Sequence, residues 1–269
     1  MAQSDTVFTG SIPALYNRYL GPLIFEPYAA DLATRVASGP AERVLETAAG
    51  TGILTRALAG GRPGATEIIA TDLNQPMLDF AAAQPGVDRV RWQRADALSL
   101  PFADQSFNVV ACQFGAMFFP DKIAAYREAL RVLRPSGRFV FSVWDRIAEN
   151  EFADIVTRAV AALFPDDPPN FLARTPHGYH DAVVIRAELM AAGFTRADIE
   201  TIARRSRAAS SRDPAIGYCQ GTPLRNEIEA RDPSRLAEAT DEAAAALESR
   251  FGPGPIDGKI QALVITASR

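Results

Sequence analysis

The stretch from Val44 to Leu54 limits the possible folds of this chain more than any other part of it. A short apolar run ends in an acid at Glu46, a loop of small residues follows, and a helical apolar pattern resumes at Ile53. This order predicts a buried parallel strand, a tight turn and the first turn of a helix. Such a turn offers backbone N–H groups and the positive end of a helix to a ligand. The positions whose small side chains would allow close approach are Ala48, Gly50 and Gly52.

Two classes of ligand site use such a turn, and the spacing of its small residues distinguishes them. The dinucleotide fingerprint G-x-G-x-x-G, laid on Gly50 and Gly52, requires a third glycine where this chain has Thr55. The pattern Glu46-x-Ala48-x-Gly50-x-Gly52 instead resembles the E/D-x-G-x-G-x-G motif of class I S-adenosylmethionine-dependent methyltransferases, with alanine at the first glycine. Alanine is strained if position 48 needs a positive φ; we predict that the position needs only a small side chain. On this stretch alone, a strand-to-helix turn that binds no ligand remains an alternative interpretation.

Acidic residues follow the next two predicted strands. Asp72 lies about 20 residues beyond the loop, where an acid accepts hydrogen bonds from ribose hydroxyls. Its alternative role is an N-cap of the following helix, and we expect it to serve both purposes. Asp96 follows the alternating strand Val90–Arg94 and supplies the acceptor that an adenine amino group needs. A turn aspartate is the alternative at that position.

The resemblance to the methyltransferases assigns further roles around these acids. It implies that Asp96 takes the adenine amino group and that the backbone N–H of Ala97 meets a ring nitrogen. It also implies cofactor contacts in the first two loops and the helix after the second, made by Thr47, Leu73 and Met77.

The fourth predicted strand, 107–112, leads into a loop that starts with Gln113 and Phe114. In an open α/β sheet the carboxyl ends of the strands face the ligand crevice. An aromatic ring there suits a sulfonium cation, so we predict that both residues contact the cofactor. An amphipathic helix, a turn at Leu133–Gly137 and an apolar strand then complete four blocks between residues 44 and 144 that resemble the same family.

Apolar residues recur at helical spacing from Ile12 to Val36, ahead of the first strand. Pro22 and Pro27 predict that this region is divided into short helices. We interpret residues 1–42 as a helical lid on the ligand mouth. Tyr16 is its candidate cofactor contact, because Tyr-x-Arg ahead of the first strand resembles a lid motif of many such methyltransferases.

Beyond Trp144 the resemblance weakens, and the sequence divides the chain between a core sheet and a cap. Residues 43–145 are assigned to the cofactor-binding half of a Rossmann-like core. The cap insertions, which would govern the choice of acceptor, are 146–180 and 211–256. The segments that complete the core sheet are 181–210 and 257–269.

His177 and His180 are the two histidines of the chain, and both fall in the first cap insertion. Imidazole titrates near neutral pH, so either residue suits the methylation of an oxygen or nitrogen that must first lose a proton. The alternative is that both residues organise the loop and the start of the following helix.

Charge and composition argue against several other classes of protein. A formal net charge of −4 disfavours a general nucleic-acid binder. Two separated cysteines and two histidines provide no metal motif. Because the N-terminus lacks an apolar signal core and no apolar run is long enough to span a bilayer, we expect a cytoplasmic protein. The oligomeric state stays open, and a homodimer is compatible with the sequence.

These features predict an α/β fold, namely a Rossmann-like, seven-stranded, mostly parallel sheet with an antiparallel last strand. A helical N-terminal lid and helical cap insertions complete it. The predicted function is S-adenosylmethionine-dependent methyl transfer to a small-molecule acceptor by direct displacement. The alternatives are an NAD-type oxidoreductase and a non-catalytic nucleoside-binding or regulatory protein of the same fold.

Overall fold

The computed structural model describes residues 10–61 and 66–269, and within these ranges the chain forms a seven-stranded sheet flanked by helices. The strands are β1 (Arg43–Glu46), β2 (Glu67–Asp72), β3 (Val90–Arg94), β4 (Phe107–Gln113), β5 (Leu133–Trp144), β6 (Arg196–Ala208) and β7 (Ile256–Ser268). They lie in the order β3-β2-β1-β4-β5-β7-β6. The first five strands pair in parallel, whereas β7 is antiparallel to both β5 and β6. The predicted fold class is confirmed.

The sheet brings its chemically interesting residues to one edge. β1 pairs with β2 on one side and with β4 on the other, so the strand order reverses there. Strands buried on both faces read as continuous apolar runs, which explains why β1 and β4 are recognisable in the sequence. Glu46, Asp72 and Gln113 are the last residues of these strands. Their side chains therefore start at the point where ligands bind in open α/β sheets.

Helices precede β1 and connect the later strands. They are α1 (Ile12–Leu15), a π-helical segment (Tyr16–Phe25), α2 (Glu26–Ala37), α3 (Ile53–Gly61), α4 (Gln75–Ala82), α5 (Lys122–Val132), α6 (Glu151–Leu163), α7 (Phe171–Arg174), α8 (Ala182–Ala192), α9 (Arg212–Gln220), α10 (Leu224–Arg231) and α11 (Leu236–Phe251). The carboxylate of Asp121 accepts a hydrogen bond from the N–H of Ala124 and caps α5. In residues 10–61 and 66–269, no helix has both the length and the apolar character that a membrane crossing requires.

Residues 12–37 form a series of short helical elements, as predicted, with a boundary beside Pro27, but Pro22 marks no boundary between them. Pro22 lies inside the π-helical segment, and Pro27 occupies the first turn of α2. In the segment the backbone N–H of Glu26 donates to the carbonyl of Gly21, five residues earlier. A π-helix is wider than an α-helix, and Pro22 is accommodated within this wider stretch. Proline is also tolerated in the first turn of a helix, where its missing N–H costs nothing.

The turn predicted at Leu133–Gly137 is also wrong as a strand boundary. β5 already begins at Leu133, which pairs with Phe107 of β4. The next pair joins Val109 to Arg138, so the register shifts between the two pairs. The proline–serine–glycine sequence is therefore accommodated as an irregularity within the strand rather than ahead of it.

The described residues fall into two compact units. The sheet unit comprises Tyr28–Val143, His180–Ile202 and Ala262–Arg269; the helical unit comprises the residues up to Pro27, Trp144–Tyr179 and Ala203–Gln261. Within the helical unit, α11 packs on α6 and α9, and α9 packs on the π-helical segment. The boundaries of the predicted lid, core and cap stay predictions, and residues 1–9 of the lid lie outside the described ranges.

Candidate functional site

The loop after β1 is tied to the strands on either side of it. The N–H of Thr47 donates to the carbonyl of Ala111 in β4 over 2.9 Å. The N–H of Ala49 donates to the carbonyl of Thr71 in β2, also over 2.9 Å. Thr71 in turn donates its hydroxyl to the carbonyl of Glu46 over 2.9 Å. These bonds fix the loop at the carboxyl edge of the sheet.

The two glycines of this loop share a backbone conformation but differ in the free space around them. Both have a positive φ, +56° at Gly50 and +76° at Gly52, which favours glycine. A Cβ atom at Gly50 would meet nothing within 4 Å, so the backbone there is open to a ligand. A Cβ atom at Gly52 would lie 3.0 Å from the Trp92 ring and 3.1 Å from the Cβ atom of Ala81. Close approach is thus possible at Gly50, whereas the space at Gly52 is filled by packing.

Ala48 corrects the expectation that its position needs only a small side chain. Its φ is +52°, in the left-handed region, which costs an alanine roughly 1–2 kcal/mol. The position therefore favours glycine through its backbone as well as through its size. The sequence shows a departure from the family pattern here, and the structure shows that the departure is strained.

Glu46 is a buried acid with one strong partner. Its side chain is 1% exposed, and Oε2 accepts a hydrogen bond from the Thr55 hydroxyl over 2.6 Å. Burial raises the pKa of Glu46 to about 8, and the negative charge of Asp72 contributes in the same direction. The bond from Thr55 and the charge of Arg56 oppose the rise. The Glu46 carboxyl group is therefore mostly protonated at neutral pH when no cation is bound beside it.

Replacing Glu46 with glutamine should remove a pH-dependent loss of stability. The folded-state pKa of about 8 lies above the ordinary value of 4.5, so the folded state holds a proton that the unfolded state releases between these pH values. The free energy of unfolding of the wild type should then fall as pH rises from 4.5 to 8, by at least about 1 kcal/mol. Urea unfolding at pH 5 and pH 9 measures this, and equal declines in wild type and Glu46→Gln would contradict it.

Asp72 joins the β1 loop to the loop after β2. It is 7% exposed; its Oδ2 accepts the N–H of Gly50 over 2.8 Å, and its Oδ1 accepts the N–H of Asn74 over 2.8 Å. Burial raises its pKa, against the effect of these bonds. The N-cap position of α4 is Asn74, so Asp72 is not itself the cap but fixes the residue that is. These bonds fix the orientation of the Asp72 carboxylate before a ligand binds.

The neighbouring predicted contacts differ in accessibility. Leu73 is 47% exposed, so its apolar side chain is accessible beside the buried Asp72. Met77 is 3% exposed and lies in the packed face of α4, away from solvent. Asp96 is exposed and its Oδ1 accepts the N–H of Leu98 over 2.9 Å, so it makes the turn that was its alternative role. Ala97 beside it is half-buried.

The end of β4 carries a second strained residue. Gln113 is half-buried, and Phe114 follows it with a φ of +51°, a conformation that bulky residues rarely adopt. The N–H of Phe114 donates to the carbonyl of Ser142 over 3.1 Å. Its ring packs edge-on against Tyr28, with 5.4 Å between centroids. Strained backbone of this kind clusters at ligand sites, which adds a structural argument to the sequence prediction for Phe114.

The helical unit contains a row of aromatic rings. Tyr16 begins the π-helical segment and stacks on Phe25 with 4.7 Å between centroids. Phe25 lies 6.0 Å from the ring of Trp144, the last residue of β5, and Trp144 lies 6.0 Å from the ring of His177. The segment can lie close to α9 because Gly217 has no side chain; a Cβ atom there would be 2.8 Å from Leu20.

The two histidines have different surroundings. His177 is 5% exposed and belongs to the helical unit, where its Nδ1 lies 2.8 Å from the carbonyl oxygen of Asp145. A carbonyl only accepts, so Nδ1 carries the hydrogen and Nε2 is the basic nitrogen of the neutral ring. His180 is half-buried and belongs to the sheet unit. The sequence grouped the two, but the structure assigns them to separate units.

Sequence reasoning missed residues that the structure adds to the site. Thr55 counted only as the missing third glycine, whereas it is the hydrogen-bond donor of Glu46. Phe25 was not singled out in the sequence, and nothing in its spacing indicated that its ring contacts those of Tyr16 and Trp144. The position of Thr55 did carry a signal. Thr55 follows Glu46 by nine residues and lies in the first turn of α3, the helix after the β1 loop.

Comparisons with known proteins identify the family of this chain. The methyltransferase domain family matches residues 45–141. Demethylmenaquinone methyltransferase of Mycobacterium sp. strain KMS is 36% identical over 171 residues, which cover 64% of this chain and 68% of that protein. The Mycobacterium tuberculosis protein Rv1405c is 39% identical over 124 residues, 45% of this chain and 44% of that one. The chain thus spans less than half the length of this second relative.

Solved structures show the same fold. The crystal structure of YcgJ from Bacillus subtilis superimposes with a TM-score of 0.57 at 23% sequence identity. The superposition covers 90% of this chain and 99% of that one. At this identity the likeness concerns the fold, and the family placement rests on the sequence relatives.

Proposed function

We propose that this chain, which belongs to the class I S-adenosylmethionine-dependent methyltransferases, transfers a methyl group from that cofactor to a small-molecule acceptor. The family placement decides against the NAD-type oxidoreductase. The observation that carries the cofactor proposal is the buried Asp72 carboxylate, which is bonded to the N–H of Gly50 beside open space.

The residues at the carboxyl edge of β1 and β2 fit a nucleoside. Asp72 has the acceptor oxygens that ribose hydroxyls need. Leu73 offers exposed apolar surface for a base, and the Asp96 carboxylate suits an exocyclic amino group. Gly50 leaves its backbone uncovered, as a bulky ligand requires. We propose that these four residues hold the adenosine part, with Glu46 and Thr55 supporting the loop from beneath.

The chemistry of the reaction needs few catalytic groups from the protein. When bound, S-adenosylmethionine supplies an electrophilic methyl group on a sulfonium. The chain would contribute alignment and the exclusion of water. Phe114 suits the second task, because its ring is held by Tyr28 and its backbone by Ser142. A fixed aromatic face would attract the cation without reorganising.

For the acceptor we propose a flat ring of the quinol or phenol type, whose hydroxyl can lose a proton and make the ring or its oxygen nucleophilic. The name of the Mycobacterium relative gives demethylmenaquinone as its substrate. His177 would serve such an acceptor as a base through Nε2, as its Nδ1–H is directed at the Asp145 carbonyl.

Two measurements test the proposal in order. Calorimetric titration with S-adenosylhomocysteine and with NAD, in parallel, should give saturable binding of the first alone. A methyl-transfer assay over quinols, phenols, amines and thiols should then give turnover with ring acceptors. Binding without turnover on any acceptor would favour the non-catalytic alternative, and absence of S-adenosylhomocysteine binding would overturn the proposed function.

A further inference from the structure

The loops after β1 and β4 meet at Ala48 and Gly115. A Cβ atom built on Gly115 would lie 2.4 Å from the Cβ atom of Ala48 and 2.8 Å from the Sγ atom of Cys112. Gly115 has a φ of −103°, which any residue can adopt. Space rather than backbone conformation therefore requires glycine at this position. The methyl group of Ala48 fills the room that a side chain on the β4 loop would need.

The contact joins two strained turns. Ala48 and Phe114, the residue before Gly115, both have a positive φ, +52° and +51°. Glycine at position 48 would remove strain from the first loop, but it would leave the Gly115 backbone without its neighbour. The methyl group thus adds strain to one loop while supporting the other.

We propose that the Ala48 methyl group is a positioning wedge that holds Gln113, Phe114 and Gly115 in place from the side of the β1 loop. The wedge couples the loop proposed to bind the adenosine part to the loop that would face the transferred methyl group. Its functional consequence rests on the proposed function, whereas the steric coupling does not. Ala48 acts through the β4 loop and is a positioning residue.

A reciprocal exchange of one methyl group tests the steric coupling. Cys112→Ala serves as the background, because it removes the second neighbour of Gly115. In this background Gly115→Ala should lower Tm by about 5 °C or more through overpacking. Adding Ala48→Gly should restore most of that loss, because the clash partner is gone. Additive changes in Tm would overturn the wedge.

Ala48→Gly alone tests positioning. Amide hydrogen exchange in residues 113–116 should become at least about tenfold faster, while exchange in residues 73–74 stays unchanged. Ala83→Gly, at an exposed position after α4, is the matched control for the same chemical change and should leave both segments unaffected. Unchanged exchange in residues 113–116 of Ala48→Gly would overturn the proposal.

The functional readout separates this inference from the proposed function. In Ala48→Gly, KM for the acceptor should rise at least about fivefold relative to Ala83→Gly. A purely structural contact would leave this KM unchanged once the protein is folded. If the wild type does not bind S-adenosylhomocysteine, the proposed function fails, and the Tm and exchange experiments still decide the wedge.

Discussion

Replacing Asp72 with alanine should weaken S-adenosylhomocysteine binding by about ten- to a hundredfold. Two effects combine in this result. The ribose would lose its proposed carboxylate acceptor, and a hydrogen bond to a charged group contributes about 1.5–3 kcal/mol. The N–H groups of Gly50 and Asn74 would also lose the oxygens that hold them at 2.8 Å. The β1 loop would then have to be ordered by the ligand, at a cost to affinity.

The variants Asp72→Asn and Asp79→Ala sharpen this test. Asparagine keeps one carbonyl oxygen for Gly50 or Asn74 but presents an amide donor to the other, so an intermediate loss is expected. Asp79 is an exposed acid on α4 whose Oδ1 accepts from Gln75, and its replacement controls for loss of charge nearby. Calorimetry on protein shown to be folded by circular dichroism supplies the constants. Wild-type affinity in folded Asp72→Ala would rule out the ribose role.

The fold was predictable because its signals are local. Val44–Leu45 and the run Val109–Cys112 are buried on both faces of the sheet, so their apolar character is continuous along the chain. The glycines and prolines that end helices act on their own neighbours. Where tertiary packing competes with such signals, the prediction was wrong. Pro22 lies within a widened helix, and the Leu133–Gly137 segment pairs partly with β4.

The acids of the candidate site were predictable for a related reason. Glu46 and Asp72 end their strands, and parallel strands bring their carboxyl ends to one edge, so spacing along the chain becomes proximity in space. The positive φ of Phe114 and of Ala48 was not predictable, because neither residue type favours that conformation. The contact between Ala48 and Gly115 depends on two loops separated by more than sixty residues in the chain. No periodicity or motif reports such a contact.

His177→Gln should lower turnover by roughly 10²–10⁴-fold if the residue is the base of the reaction. The orientation of the ring gives the physical reason. Its Nδ1 lies 2.8 Å from the Asp145 carbonyl oxygen, so in the neutral ring Nδ1 carries the hydrogen and Nε2 is the basic nitrogen. The affinity for S-adenosylhomocysteine should stay unchanged, since the proposed adenosine contacts are Gly50, Asp72, Leu73 and Asp96.

A second substitution at the same position separates a base from a structural residue. In His177→Asn the amide nitrogen stands near the place of Nδ1 and can still donate to Asp145, but no basic nitrogen remains. If His177 has only a structural role, His177→Asn should have higher stability and higher turnover than His177→Gln. If His177 is the base, only the stability should be higher in His177→Asn. His180→Gln, at the other histidine of the chain, is the matched control. Turnover against pH at saturating cofactor decides between them. If His177 is the base, turnover should no longer depend on pH near neutrality in either His177 variant. Wild-type pH profiles of turnover in both variants would contradict the base assignment and leave substrate alignment as the source of the rate.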